Sequence, residues 1–134
     1  AQRWQQVDTA PMMPKAIVVA PAVVPSRPPV FTSGKLIYEV NVRGFSRMHP
    51  DVRPVLRGTI SALREPAVLE HLKSLGVGAV ELMPITACMN ERHLQPLGLR
   101  NAWGYNPVTF MALDPELAPG GWSELRDTVA TLRD

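Results

Sequence analysis

Lys35-Leu36-Ile37-Tyr38-Glu39-Val40-Asn41-Val42-Arg43-Gly44 is the stretch on which the fold turns. Leu36, Tyr38, Val40 and Val42 alternate with Ile37, Glu39, Asn41 and Arg43. That is the period of two of a β-strand with mixed polarity on its second face, and Gly44 ends it. Farther on, Pro66 stands where a first helical turn tolerates it. Val68, Leu69, Leu72 and Leu75 form an apolar helical stripe, with Gly76 placed to close the helix in a left-handed conformation. Ala79-Val80-Glu81-Leu82-Met83, bounded by Gly78 and Pro84, reads as a buried strand with one acidic residue. Strand, helix and strand joined by a tight glycine turn predict a right-handed βαβ unit with parallel strands.

Outward from this unit, residues 45–63 contain His49-Pro50, Pro54 and Gly58 and read as a long loop. A second long loop, 85–121, carries Trp103-Gly104-Tyr105-Asn106. A last helix is expected from about Ser123, with Glu124 in its first turn complementing the helix dipole and Trp122, Leu125, Val129 and Leu132 as its stripe. Both long loops follow strands. In parallel α/β folds this places them at the carboxyl ends of the strands, where sites are built. Upstream, Pro11, Pro14, Pro21, Pro25, Pro28 and Pro29 crowd one stretch, which excludes a regular helix or a central strand. It reads as an extended connector whose Ile17, Val18, Val19, Val23 and Val24 could dock on another surface.

The chain has 134 residues, 46% apolar and 19% charged, which is globular composition and fits one domain. Fourteen Lys+Arg against twelve Asp+Glu leave a net charge of +2 with no basic stripe, so no nucleic-acid partner is expected. The single cysteine, Cys88, excludes an internal disulfide and suits a reducing compartment. The longest apolar stretch, 16–24, contains Pro21 and is too short to span a bilayer; it also lacks the features of a signal peptide. A soluble, cytoplasmic protein with no membrane contact is the expectation.

The motifs run in a recognisable order. Tyr38-Glu39, Val42-Arg43-Gly44-Phe45, His49-Pro50, Leu56-Arg57-Gly58-Thr59 and His71-Leu72-Lys73-Ser74-Leu75-Gly76-Val77 come first. Ala79-Val80-Glu81-Leu82-Met83-Pro84 and Trp103-Gly104-Tyr105-Asn106 follow. Together they resemble the start of the catalytic barrel of isoamylase-type glycogen debranching enzymes of the α-amylase clan. Asp8-Thr9-Ala10-Pro11 with Met13-Pro14-Lys15 resembles the joint between that family's N-terminal carbohydrate-binding sandwich and its barrel. Asn41 and Ala102 stand where the family usually has His and Tyr, and Ile60 and Ala62 where it has Tyr and Gly.

The resemblance implies an α/β fold. The expected architecture is an incomplete (β/α)₈ barrel of about two βα units, over 35–134, preceded by a proline-rich linker over 1–34. The complete barrel has about 250 residues, with its site at the carboxyl ends of the strands. The implied activity is retaining hydrolysis of α-1,6 branch points of glycogen, which needs two carboxyl groups about 5–5.5 Å apart. In the family these lie on later strands, beyond Asp134. No catalytic residue is therefore assigned here, and this chain alone is expected to be inactive.

The resemblance makes Tyr105 a sugar-stacking residue, with Trp103 and Asn106 as further substrate contacts. The alternative for Trp103 is packing on the barrel rim, and for Asn106 an Asx turn. Glu39, Arg43 and Glu81 read as a structural polar layer, with Glu39 and Arg43 able to pair along one strand face. His49, His71 and His93 lack metal-ligand spacing with one another or with Cys88, and His71 is expected on the solvent side of its helix. Cys88 has no nearby cation run and reads as a bystander. Gly76-x-Gly78 follows a helix and so is no dinucleotide fingerprint. Met12-Met13 reads as packing. Neither metal nor cofactor is expected. The competing functional reading is a non-catalytic α-glucan-binding or protein-interaction fragment. An open strand edge at 79–83 further predicts self-association, unless the proline-rich arm covers it.

Overall fold

The computed structural model describes residues 7–13, 15–20 and 31–134. Two strands, β1 (Leu36–Val40) and β2 (Val77–Leu82), pair in parallel. Three α-helices accompany them: α1 (Val42–Ser46), α2 (Pro66–Ser74) and α3 (Gly121–Arg133). Short 3₁₀ turns lie at Ala10–Met12, Pro54–Leu56, Ile60–Arg64 and Gln95–Leu97. The parallel β1-α2-β2 order agrees with the expectation from the hydrophobic periods. Pro66 opens α2, and Gly76, at φ 69°, donates its N–H to the Lys73 carbonyl at 3.0 Å to close it. The register slips once, where Leu36 pairs Val77 and Ile37 pairs Ala79, so Gly78 is the extra residue of a bulge.

β1 is shorter than its alternation suggests. It stops at Val40, and Asn41 becomes the N-cap of α1, its Oδ1 accepting from the Gly44 N–H at 2.8 Å. Gly44 therefore lies inside a helix and does not end a strand. A capping side chain overrides the alternation by satisfying a backbone donor that a strand would have spent on its neighbour. The turn also carries Arg43 away from Glu39, and the pair expected along one strand face does not form.

The core lies where a loop was expected. Ile60, Ala62 and Leu63 are fully buried, together with Val40, Val42, Val52, Val68, Leu72 and Ala118. The 3₁₀ turn Ile60–Arg64 packs against α1, α2 and α3. Its three-residue period puts Ile60 and Leu63 on one face, a period that a search for 3.6 or 2 passes over. Arg53 fastens the preceding loop by donating from Nε and Nη2 to Glu65 Oε1, at 3.1 and 2.9 Å.

Two further expectations are corrected. α3 begins at Gly121, and its most buried residues are Glu124 and Thr128, while Trp122 and Val129 are 40% and 37% exposed. Leu125 and Leu132 are half-buried. Leu125 and Leu132 of the expected stripe pack against the core, but Glu124 and Thr128 sit deepest in it because the Glu124 carboxylate finds its donors there. Its Oε1 accepts from Ser61 N–H at 3.1 Å and Ser61 Oγ at 2.6 Å, and its Oε2 accepts from Gly120 N–H at 2.6 Å. Thr128 Oγ1 donates to the Glu124 carbonyl at 2.9 Å. β2, for its part, is no buried strand. Its residues are half-buried or exposed, because among the described residues it has a single strand neighbour. Of the proline-rich arm, Ile17, Val18 and Val19 are exposed. The readings placed on Pro14, Pro21, Val23, Val24, Pro25, Pro28 and Pro29 lie outside the described residues.

No helix among the described residues is long and apolar enough to cross a membrane. Replacing Glu124 by Ala should destabilise the chain by about 2–4 kcal/mol, because buried donors lose their acceptor. Glu124→Gln, which keeps one acceptor oxygen, should recover part of this. Urea midpoints of the two variants check it; an Ala variant as stable as wild type would remove Glu124 from the core.

Candidate functional site

Parallel strands run side by side, so their carboxyl ends open on the same side of the sheet. Here those ends are Val40-Asn41 and Leu82-Met83-Pro84, and the segment 85–121 folds back over them. It doubles into an irregular antiparallel ribbon, bridged at Thr86–Leu113 and Cys88–Pro107. Met89 N–H donates to the Asn106 carbonyl at 2.9 Å, and Asp114 N–H to that of Ile85 at 2.8 Å. The ribbon brings residues 100–106 against the strand ends, where Asn41, Arg43, Cys88, Trp103 and Asp114 ring a shallow hollow.

The Trp-Gly-Tyr-Asn run is held on every side. Asn101 Oδ1 accepts from the N–H groups of Trp103 and Gly104, both at 2.9 Å, while Asn101 Nδ2 donates to Glu91 Oε1 at 2.8 Å. Gly104 is buried at φ 79°, and a Cβ there would lie 2.9 Å from the Pro84 carbonyl oxygen. Only glycine allows that left-handed turn at that approach. Asn106 Nδ2 donates to the Met89 carbonyl at 3.2 Å. Asn41 Nδ2 donates to the Ala102 carbonyl at 2.9 Å. Between these ties the two rings project outward, Trp103 68% and Tyr105 61% exposed. Two large rings are thus left open to contact on a restrained backbone.

A charge clamp stands beside the rings. Glu116 accepts from Arg43 Nη2 at 2.8 Å and from Arg100 at 2.7 and 3.1 Å. The two guanidiniums, Arg100 foremost, hold the Glu116 carboxyl down to about 2. Burial, followed by the nearby Asp114 charge, pushes the Cys88 thiol up, which keeps it from thiolate chemistry.

The structure thus brings Trp103, Tyr105 and Asn106 together at the strand ends. It places Glu39 and Glu81 elsewhere, side by side in register and exposed on the sheet. His71 is exposed, its ring edge-on to Tyr38 at 6.3 Å, and His49 Nδ1 accepts from the Asp51 N–H. Among the described residues no group of three or more His, Cys, Asp or Glu side chains could hold a metal ion. Asn41, Arg100, Asn101 and Glu116 escape a reading of the sequence. The one local signal is Asn101 two residues before Trp103, the spacing of an Asx turn. The expected alternative put that turn at Asn106, whose side chain instead bonds the Met89 carbonyl.

These clamps fix the pH response. Glu116 and Glu65 both have folded-state values below the ordinary carboxylate range, Glu65 through its hydrogen bonds from Arg53. Their stabilisation is therefore complete above the unfolded value near 4.5 and is lost as pH falls below it, for Glu116 toward about 2. Urea midpoints measured from pH 6 to 2 should fall through this window, and Glu116→Gln should flatten part of that fall. An identical acid profile in the variant would show that the clamp does not form.

No protein-family model matches the chain. Among characterised proteins, the glycogen debranching enzymes of Yersinia pestis bv. Antiqua (strain Angola) and Yersinia pseudotuberculosis serotype O:3 (strain YPIII) are similar to it. Each is 43% identical over 135 residues, covering 95% of this chain and 20% of the relative. That of Yersinia enterocolitica serotype O:8 is 41% identical over 133 residues, covering 93% and 20%. The chain spans about one fifth of the length of these relatives. Along nearly the whole of its sequence, the chain is similar to a stretch amounting to one fifth of these glycogen debranching enzymes.

Proposed function

We propose that the chain is the opening part of an isoamylase-like (β/α)₈ barrel, over 35–134 after a linker, whose parent enzyme hydrolyses α-1,6 branch points of glycogen. The observation that carries this reading is the restrained Trp103–Tyr105 pair at the carboxyl ends of two parallel strands. A glucose ring presents C–H faces that stack on aromatic rings, and the tyrosine hydroxyl and the Asn106 amide supply polar contacts at the rim. The names of the relatives, glycogen debranching enzymes, support the same substrate. Tyr105 is the principal sugar contact, Trp103 the second and Asn106 a peripheral one. A cytoplasmic setting accords with the lone half-buried thiol.

The chain by itself binds glucan without cleaving it. Retaining hydrolysis needs a nucleophile and a general acid, and the acid of such pairs sits in an enclosed apolar pocket. Glu39 and Glu81 lie next to each other but face outward in the open. In a native gel containing glycogen the chain should be retarded, Tyr105→Ala should lose most of the retardation with an unchanged Tm, and Tyr105→Phe should keep most of it. Maltoheptaose affinity should drop about tenfold in the Ala variant, the scale of one stacked ring. No reducing sugar should appear from glycogen above a blank. Unaltered retardation in Tyr105→Ala would reject the stacking role, and release of sugar would reject the division of labour.

The isolated chain also self-associates. Among the described residues β2 has a strand neighbour on one edge only, and it borders an apolar cavity of about 630 Å³ lined by Leu69, Val77, Val80, Val129 and Leu132 among others. Parallel sheets are stable when both faces are covered, and a free edge recruits another chain. Sedimentation across a concentration range should show masses above 14.7 kDa that rise with concentration. A sharp monomer at all concentrations would reject this and favour cover from within the chain.

A further inference from the structure

Asn41 is the residue through which the strand end and the aromatic run meet, and its two side-chain atoms do different work. Oδ1 accepts from the Gly44 N–H and caps α1. Nδ2 donates to the Ala102 carbonyl, 61 residues away in sequence, at 2.9 Å. That carbonyl belongs to the residue just before Trp103, inside the turn that Asn101 closes with its bonds to Trp103 and Gly104. The turn is therefore gripped from within by Asn101 and from outside by Asn41. The outer grip ties it to the end of β1.

We propose that Asn41 is a positioning residue for the aromatic pair, setting where Trp103 and Tyr105 stand relative to the carboxyl ends of β1 and β2. The proposal rests on the reading of those rings as a glucan-contacting surface. It assigns no sugar contact to Asn41 itself. The position needs an acceptor on one side and a donor on the other, and an uncharged amide offers both on one planar group, as Asn41 does toward Gly44 and Ala102. Asn is also among the best capping residues, which Gln is not. An Asp here would cap α1 at least as well, yet would turn an oxygen toward the Ala102 carbonyl and lose the tie. A Ser would cap and be too short to reach.

These substitutions separate the two roles. Amide hydrogen exchange on the full chain reads the turn directly, and maltoheptaose titration reads its use. In Asn41→Asp and Asn41→Ser the Gly44 and Phe45 amides should keep wild-type protection, and the Tm should hold. The Trp103 and Gly104 amides should exchange about five- to tenfold faster, the factor that loss of one hydrogen bond gives. Maltoheptaose affinity should fall by a similar factor. Asn41→Ala should add faster exchange at Gly44 and a lower Tm. Wild-type protection at Trp103 and Gly104 in both Asp and Ser variants would overturn the proposal, as would faster exchange there with undiminished maltoheptaose affinity. A wild-type chain that binds no maltoheptaose, with the turn still loosened in the variants, would instead remove the sugar reading and leave the mechanical role of Asn41 standing.

Discussion

Everything else in this structure leans on a carboxylate inside the core. Glu124 accepts three hydrogen bonds, two from Ser61 and one from the Gly120 backbone, and so joins α3 to the 3₁₀ turn that forms the middle of the apolar cluster. A buried charge with open lone pairs is costly, and one with its donors supplied is tolerated and directional. Leu, Ile and Val would pack in several rotations of the helix, whereas this carboxylate fits one. α3 accordingly sets Glu124 and Thr128 deepest in the core and leaves Val129 and Leu132 beside the cavity next to β2.

Much of the frame was legible. The strand around Tyr38 and Val40, the helix after Pro66, the glycine at its end and the parallel pairing all follow from apolar periods and two turn-forming residues. The middle of the core was not, because Ile60, Ala62 and Leu63 are arranged by a 3₁₀ period that lies inside a stretch punctuated by Pro54 and Gly58. The orientation of α3 was not legible either. Trp122, Leu125, Val129 and Leu132 make a convincing stripe, and only the distant Ser61 reveals why Glu124 sits deeper than any of them.

The candidate site divides similarly. Its rings stand in the sequence as Trp103-Gly104-Tyr105, and the position of the loop after a strand tells where they should lie. What restrains them is long-range: Asn41 from the first strand end, Glu116 clamped by Arg43 and Arg100, and the Pro84 carbonyl against Gly104. Asn41 and Ala102, both departures from the residues usual in the resembling family, meet in a single hydrogen bond. Local patterns name the surface that faces outward, and contacts across some sixty residues decide how it is held.

The Ser61–Glu124 link also sets an order of events on the ribosome. Its partners are 63 residues apart, and chain growth at about 5–20 residues per second puts roughly 3–13 seconds between their syntheses. Throughout that interval Ile60 and Leu63 have been made while the helix that covers them has not. Docking of α3 on the Ile60–Arg64 turn then covers the apolar patch that the nascent chain exposes during that interval.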